Sequence, residues 1–187
     1  MLPQKKQEGF KISLAFFMST SYNVDTKWGE VGDSVIKSPP YERGKEARAV
    51  TGEYFHTLDA KGRLAVPSRL RDELGSVFYV TLSMDRCLSA YSAESWQSFS
   101  DKVDAMPFVK QRKMRPLFAY AARCEVDGAG RILLPQNLRE YAGLVKDVTV
   151  VGCNNHAELW DSESWRKQHE IEMTPENIAA VMEELEF

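Results

Sequence analysis

Short apolar runs alternate with turn-forming and charged residues through most of the chain, and their order comes twice. Residues 53–58 read as a strand leading into Asp59-Ala-Lys-Gly-Arg63. In such a turn Asp bonds its own downstream backbone and Gly62 supplies the positive φ that a tight hairpin needs. A second strand, residues 64–66, stops at Pro67, which presets φ for a short helix over 68–74. Gly75 then stands where a helix C-terminus takes a left-handed residue. Residues 77–82 are rich in β-formers and suit a buried strand. From residue 123 the series starts again: a strand over 123–126, the turn Asp127-Gly-Ala-Gly-Arg131, a strand over 132–134, Pro135, a helix over 136–142, Gly143 and a strand over 145–151. A further strand and a Trp-anchored helix close each unit.

The correspondence is residue by residue. Asp59 to Gly75 align with Asp127 to Gly143 at an offset of 68, with Asp, Gly, Arg, Pro, Leu, Arg and the final Gly coinciding. Val77, Val80 and Thr81 fall on Val145, Val148 and Thr149. After a one-residue slip, Glu94-Ser95-Trp96 falls on Glu163-Ser164-Trp165, and Tyr91 on Trp160. The core is thus a duplicated unit of about 45 residues. We divide the chain into an extension (1–49), a first repeat (50–99), a helical connector (100–120), a second repeat (121–168) and an acidic helical tail (169–187).

Outside the repeats, residues 1–49 are rich in Ser, Lys, Gly and Pro and share no pattern with either unit. They read as a disordered extension or as translated leader sequence with the native start near Val50. The connector clusters Lys110, Arg112, Lys113 and Arg115 ahead of an apolar stretch, and Pro116 is expected to kink or restart its helix. Such a cluster is either a solvated face or a contact for phosphate or an acidic neighbour. The tail opens a helix with Thr174 as N-cap and Pro175 in the first turn.

Net charge is −3 and hydrophobic residues make up 43% of 187 positions, so a folded core is affordable and an overall basic footprint is absent. The acidity sits in residues 161–187, so nucleic-acid binding has to come from local patches. Cys87, Cys124 and Cys153 are far apart, as are His56, His156 and His169, and neither set has zinc-ligand spacing. No cofactor or metal is expected, and the thiols read as reduced. No apolar run reaches the roughly 18 residues of a membrane span. Lys5 and Lys6 before residues 12–18 imitate a signal peptide only faintly. Nothing sets a nucleophile beside a base and no phosphate-binding fingerprint appears, so an enzyme is not expected.

The two motifs, Glu53-Tyr-Phe-His-Thr-Leu-Asp59-x-Lys61-Gly62-Arg63-Leu64-x-x-Pro67 and Asp127-Gly-x-Gly130-Arg131-Ile132-x-x-Pro135, closely resemble the MraZ family of bacterial transcriptional regulators, relatives of AbrB-type swapped-hairpin DNA binders. Gly143-Leu144, Val150-Val151-Gly152 and Glu158-Leu159-Trp160-Asp161 resemble the rest of its second half. The likeness spans roughly residues 51–170 and departs at the first fifty.

What the resemblance implies is a β-rich α+β fold: two tandem pseudo-symmetric AbrB/MraZ-type swapped-hairpin units with short helices, forming a ring-like homo-oligomer. It further implies a cytoplasmic, nucleoid-associated regulator that represses the division and cell-wall gene cluster, its own promoter included, by binding direct repeats in double-stranded DNA. The codons open to Trp28-Gly-Glu-Val-Gly-Asp33 permit two TGGG repeats about one helical turn apart, as a translated leader would carry. The turns are the expected DNA contacts, through Lys61, Gly62 and Arg63 in the first and Gly130 and Arg131 in the second, with Asp59 and Asp127 shaping them. Arg63 and Arg131 reach phosphate or guanine, or else brace the turn against their own Asp. Ala129 replaces the lysine in the second turn, so the first is expected to contribute more charge. Arg71 and Arg139 read as bracing or interface residues, and Tyr91, Trp96, Trp160 and Trp165 as core and interface. An antitoxin-like or other protein-interaction module of the swapped-hairpin class is the alternative.

Overall fold

The computed structural model describes residues 49–186, all within the compact unit Gly44–Phe187. The readings for residues 1–48, including leader and codon pattern, lie outside the described residues. The first repeat and the connector contain β1 (Glu53–Thr57), β2 (Arg63–Ala65), α1 (Ser68–Leu74), β3 (Val77–Leu82), β4 (Leu88–Ser92), α2 (Ala93–Asp104) and α3 (Phe108–Ala119). The second repeat and the tail contain β5 (Ala122–Glu125), β6 (Arg131–Leu133), α4 (Gln136–Tyr141), β7 (Asp147–Gly152), β8 (Ala157–Asp161), α5 (Ser162–Glu172) and α6 (Pro175–Glu184). The result is the strand-rich α+β architecture of two tandem units expected from the repeat. No helix among the described residues is long and apolar enough to cross a membrane.

The two turn motifs do not close ordinary hairpins. The strands flanking the first turn share only the bridge Leu58–Leu64. Instead β1 crosses to the second repeat and pairs antiparallel with β7, Tyr54 opposite Val150 and His56 opposite Val148. In return β5 pairs with β3 of the first repeat, Phe78 opposite Cys124. The six-stranded sheet therefore runs β1-β7-β8-β4-β3-β5, which reads identically from either end once the repeats are superposed. At its centre β4 meets β8 with Ser89 opposite its own repeat equivalent, Glu158. The separate ribbon β2-β6 likewise sets Leu64 opposite its equivalent, Ile132. One pseudo-twofold axis thus relates the halves, and exchanged strands bind them.

Burial follows that axis. Leu64 and Ile132, Val66 and Leu134, Leu70 and Leu138, and Val80 and Val148 are buried in equivalent pairs in one hydrophobic core. Each such aliphatic side chain stabilises the fold by roughly 1.5–3 kcal/mol relative to exposure. Thr81 and Thr149 are buried too, and both are satisfied: Thr81 Oγ1 donates to Leu117 O, and Thr149 Oγ1 bonds Ser162 Oγ at 2.9 Å.

The connector differs from expectation. Helix α2 runs past residue 100 to Asp104, and α3 follows after Pro107, so the basic cluster lies on a helix of its own. Pro116 does not restart this helix but sits within it. It lies on the exposed side of α3, where water can take the carbonyl left without a partner by the missing N–H. The tail helix starts as read, with Thr174 Oγ1 accepting from Asn177 N at 3.2 Å. Val145 precedes β7 rather than joining it and stays exposed.

Candidate nucleic-acid interface

Each Asp-x-x-Gly-Arg turn is knitted together by its aspartate. Asp59 Oδ1 accepts from the backbone N–H of Lys61 at 2.8 Å and of Arg63 at 3.0 Å, while Gly62 N–H donates to Asp59 O at 2.9 Å. Asp127 treats Ala129, Arg131 and Gly130 in the same way. As the sequence implies, the aspartate holds the backbone of its own turn: the N–H groups of residues 61–63 and 129–131 are taken up internally and do not stand free for a ligand. The arginine side chains are engaged as well. Arg63 Nε donates to Asp59 Oδ2 at 2.6 Å, whereas Arg131 uses both Nε and Nη2 on Asp127 Oδ2 at 3.0 and 2.8 Å. Arg131 Nη1 also lies 4.0 Å from Asp59, so the two turns share charge.

These contacts hold the carboxylates ionised. The Arg63 N–H, chiefly, pulls Asp59 down to about 2 against partial desolvation, helped by the Arg63 guanidinium and the Lys61 N–H. Asp127 is lowered first by the Arg131 side chain and then by its N–H. Both arginines brace their turns, yet not equally. Arg63 keeps both terminal nitrogens, and with them four of its five N–H donors, clear of Asp59; Arg131 keeps fewer.

The turns lie at the two ends of the β2-β6 ribbon and are locked across the axis. Gly62 O accepts from Leu134 N at 3.0 Å, and Gly130 O from Val66 N at 2.9 Å. Gly62 and Gly130 have φ of +77° and +75°. The side chain of Arg139 lies over Gly62 and that of Arg71 over Gly130, so close that an added Cβ would meet guanidinium atoms at 2.9 and 2.6 Å. The repeated helix arginines therefore pack each over the other repeat's turn, and Arg139 Nε also donates to Leu134 O. Sequence placed these arginines on a helix; the partner glycine became visible only with the strand exchange.

Strand alternation now sorts the ribbon. Leu64 and Ile132 point into the core, leaving Arg63, Ala65, Arg131 and Leu133 on the outward face. Lys61 is exposed at the first turn, where Ala129 offers no charge at the second. The structure thus brings Lys61, Arg63 and Arg131 to one short ribbon, with Gly62 and Gly130 buried beneath as backbone hinges.

The aromatic residues pack. Trp96 lies against Tyr79, Tyr91, Phe99 and Phe118, while its equivalent Trp165 meets Trp160 and His169 and lines an open cleft of about 600 Å³. One cluster escaped the spacing argument. Cys153, His156 and Glu158 place ligand-type atoms within 4.8 Å of one another at the β7–β8 connection. Their short Cys-x-x-His-x-Glu spacing was the available signal. The groups already satisfy neighbours: His156 Nδ1 bonds Asn155 at 2.8 Å, His156 Nε2 lies 3.5 Å from Glu158, and Trp160 Nε1 donates to Glu158 at 2.8 Å. Burial alone would raise Glu158, but the hydrogen bonds from His156 and Trp160 hold it low.

Comparison with known proteins finds the same two-unit organisation. The family model for the MraZ protein, whose description likens it to antitoxins, matches twice, over residues 49–115 and 117–184. A protein of Acetivibrio thermocellus named transcriptional regulator MraZ is 47% identical over 135 residues, covering 70% of this chain and 94% of that protein. Proteins of the same name from Caldicellulosiruptor saccharolyticus and Caldicellulosiruptor bescii are each 44% identical, covering 72% of this chain and 96% of their own length. Those relatives are regulators by name, in keeping with the reading of a protein without catalysis. With both repeats matched and the relatives covered almost end to end, the chain belongs to the MraZ family.

Proposed function

We propose that this protein is a DNA-binding transcriptional regulator that uses its paired turns to hold double-stranded DNA. The observation that carries this reading is the braced ribbon presenting Lys61, Arg63 and Arg131 on one outward face. Glycine hinges and cross-axis arginines fix the turns before any ligand arrives, so little ordering cost remains at binding. Lys61 and the free end of Arg63 make the first turn the stronger contact, to phosphate or in a bidentate fork to guanine O6 and N7. Arg131, more fully occupied by Asp127, contributes less. In the finer reading, the protein acts as a repressor of the division and cell-wall gene cluster and its own promoter, in the nucleoid. A ring-like homo-oligomer sets successive turns on direct repeats. So few cations per chain bind weakly at physiological salt, and linking several chains raises effective concentration without new contacts.

The test is electrophoretic mobility shift on DNA upstream of the gene, comparing wild type with Arg63→Ala across a salt series. Loss of the specific complex in the variant, with the salt slope lowered by about one and assembly size unchanged, is the expected result. An unchanged shift would reduce Arg63 to a brace and overturn the turn mechanism. Absence of any wild-type shift would favour the protein-interaction reading.

A further inference from the structure

Two helices are left without a role by the ribbon. Helix α3 has the sequence FVKQRKMRPLFA, which contains four basic and no acidic residues. Its Lys110, Arg112, Lys113 and Arg115 are exposed and form no ion pair with a described residue. At its start Phe108 and Val109 are 72% and 71% exposed. Helix α6, PENIAAVMEE, carries acidic and no basic residues. Every residue of it is exposed. Its apolar positions Ile178, Val181 and Met182, with Leu185 just beyond, follow i, i+3, i+4, i+7 and form one stripe, 44–48% exposed. Ten residues with an uncovered apolar stripe are too few for a helix that stands alone in water.

We propose that α6 of one copy docks along α3 of a second copy, the acidic amphipathic helix against the basic one. The occupant is another copy of this chain because the chain carries both complementary surfaces and keeps them apart. Helix α3 packs on β3, in one half of the sheet, and α5 packs on β7 and β8 in the other. Only Met173 and Thr174 separate α5 from α6, and Asn177 Nδ2 pins the joint by donating to Ile171 O at 2.8 Å. The exposed Phe108 and Val109 give the apolar stripe something to cover, which a nucleic-acid ligand for the basic face would leave in water. Donor and acceptor surfaces differ, so the contact is head-to-tail: it propagates from copy to copy and closes into a ring where the rotation allows. This inference rests on the self-association included in the proposed function and assigns its surfaces.

Charge reversal with rescue tests it by sedimentation velocity of the full chain without DNA. One variant carries Lys110→Glu, Arg112→Glu and Lys113→Glu; another carries Glu176→Lys, Glu183→Lys and Glu184→Lys; a third combines all six. The expected result is an assembled wild type, smaller species for either three-residue variant, and recovery both in the six-residue variant and in an equal mixture of the two others. The mixture recovers because copies then alternate, each α6 meeting an α3 of opposite sign. Phe108→Ser with Val109→Ser, which alters no charge, is expected to weaken assembly as well. A monomeric wild type would overturn self-association itself. An assembled wild type with unchanged size in the reversed variants would overturn only the α3–α6 contact. Loss of DNA binding without loss of assembly in the α3 variant would likewise overturn it and give that face to nucleic acid.

Discussion

Replacing Gly130 by alanine probes the cross-axis lock directly, because two separate costs meet at one atom. The residue sits at φ +75°, and holding a non-glycine residue in left-handed backbone costs about 1–2 kcal/mol. The new Cβ would also fall 2.6 Å from Arg71 Nη1, so the guanidinium must move off the turn it braces. Together these put the expected loss at about 2–3 kcal/mol, a large share of the 5–15 kcal/mol typical of a folded domain. Gly128, two positions earlier in the same turn, is the internal control: a Cβ there meets nothing within 4 Å and its φ is not left-handed. Gly128→Ala is expected to be neutral or to stabilise by up to about 1 kcal/mol through the unfolded chain. Urea unfolding at one fixed protein concentration reads both. Adding Arg71→Ala to Gly130→Ala separates the costs, since relief of the clash shows as a favourable coupling while the backbone term persists. Equal midpoints for Gly130→Ala and Gly128→Ala would refute the account of the lock.

Acid unfolding and thiol chemistry supply two further tests. Asp59 titrates near 2 in the folded protein against an ordinary 3.8, so its contribution is present above pH 4 and is lost as pH falls from about 4 towards 2. Asp59→Asn is expected to be less stable than wild type at neutral pH and to show a flatter acid limb when melting temperature is followed from pH 6 to 2. Burial first, and neighbouring Glu158 next, push Cys87 and Cys153 up to about 12, and burial raises Cys124 to about 11. All three stay protonated at pH 8, so a disulfide reagent should react slowly with native protein and promptly with three thiols in denaturant. Fast native labelling of Cys87 would contradict its burial.

Local chemistry made the elements legible, and partner choice stayed hidden. Pro67 and Gly75 bracket α1 as read, and Thr174 and Pro175 set the start of α6, because caps and turns depend on residues a few positions apart. Gly62 and Gly130 were legible for the same reason. The strand pattern at residues 53–58 was equally readable, but a β-strand advertises its two faces and not its neighbour. Pairing with β7, almost a hundred residues away, looks the same in sequence as pairing across the turn. Arg71 and Arg139 were legible as bracing or interface residues, but the turn that each one packs on followed that pairing and was lost with it. Asp59 was legible as the turn former that bonds its own backbone, whereas which N–H groups its carboxylate takes, those of Lys61 and Arg63, depends on where the oxygens come to rest.

Strand exchange between equivalent units also has an ancestry built into it. A fold closed in this way needs two units, and nothing in its hydrogen bonding requires them to share a chain. Two separate copies would form the same palindromic sheet as a symmetric dimer, stable only above some concentration. Joining them makes the encounter intramolecular, at effective concentrations that reach the millimolar range for a short tether. It also frees the halves from identity. A true dyad presents two equal turns and matches inverted repeats. Lys61 in one turn and Ala129 in the other break that equality and give the two ends of the ribbon different charge.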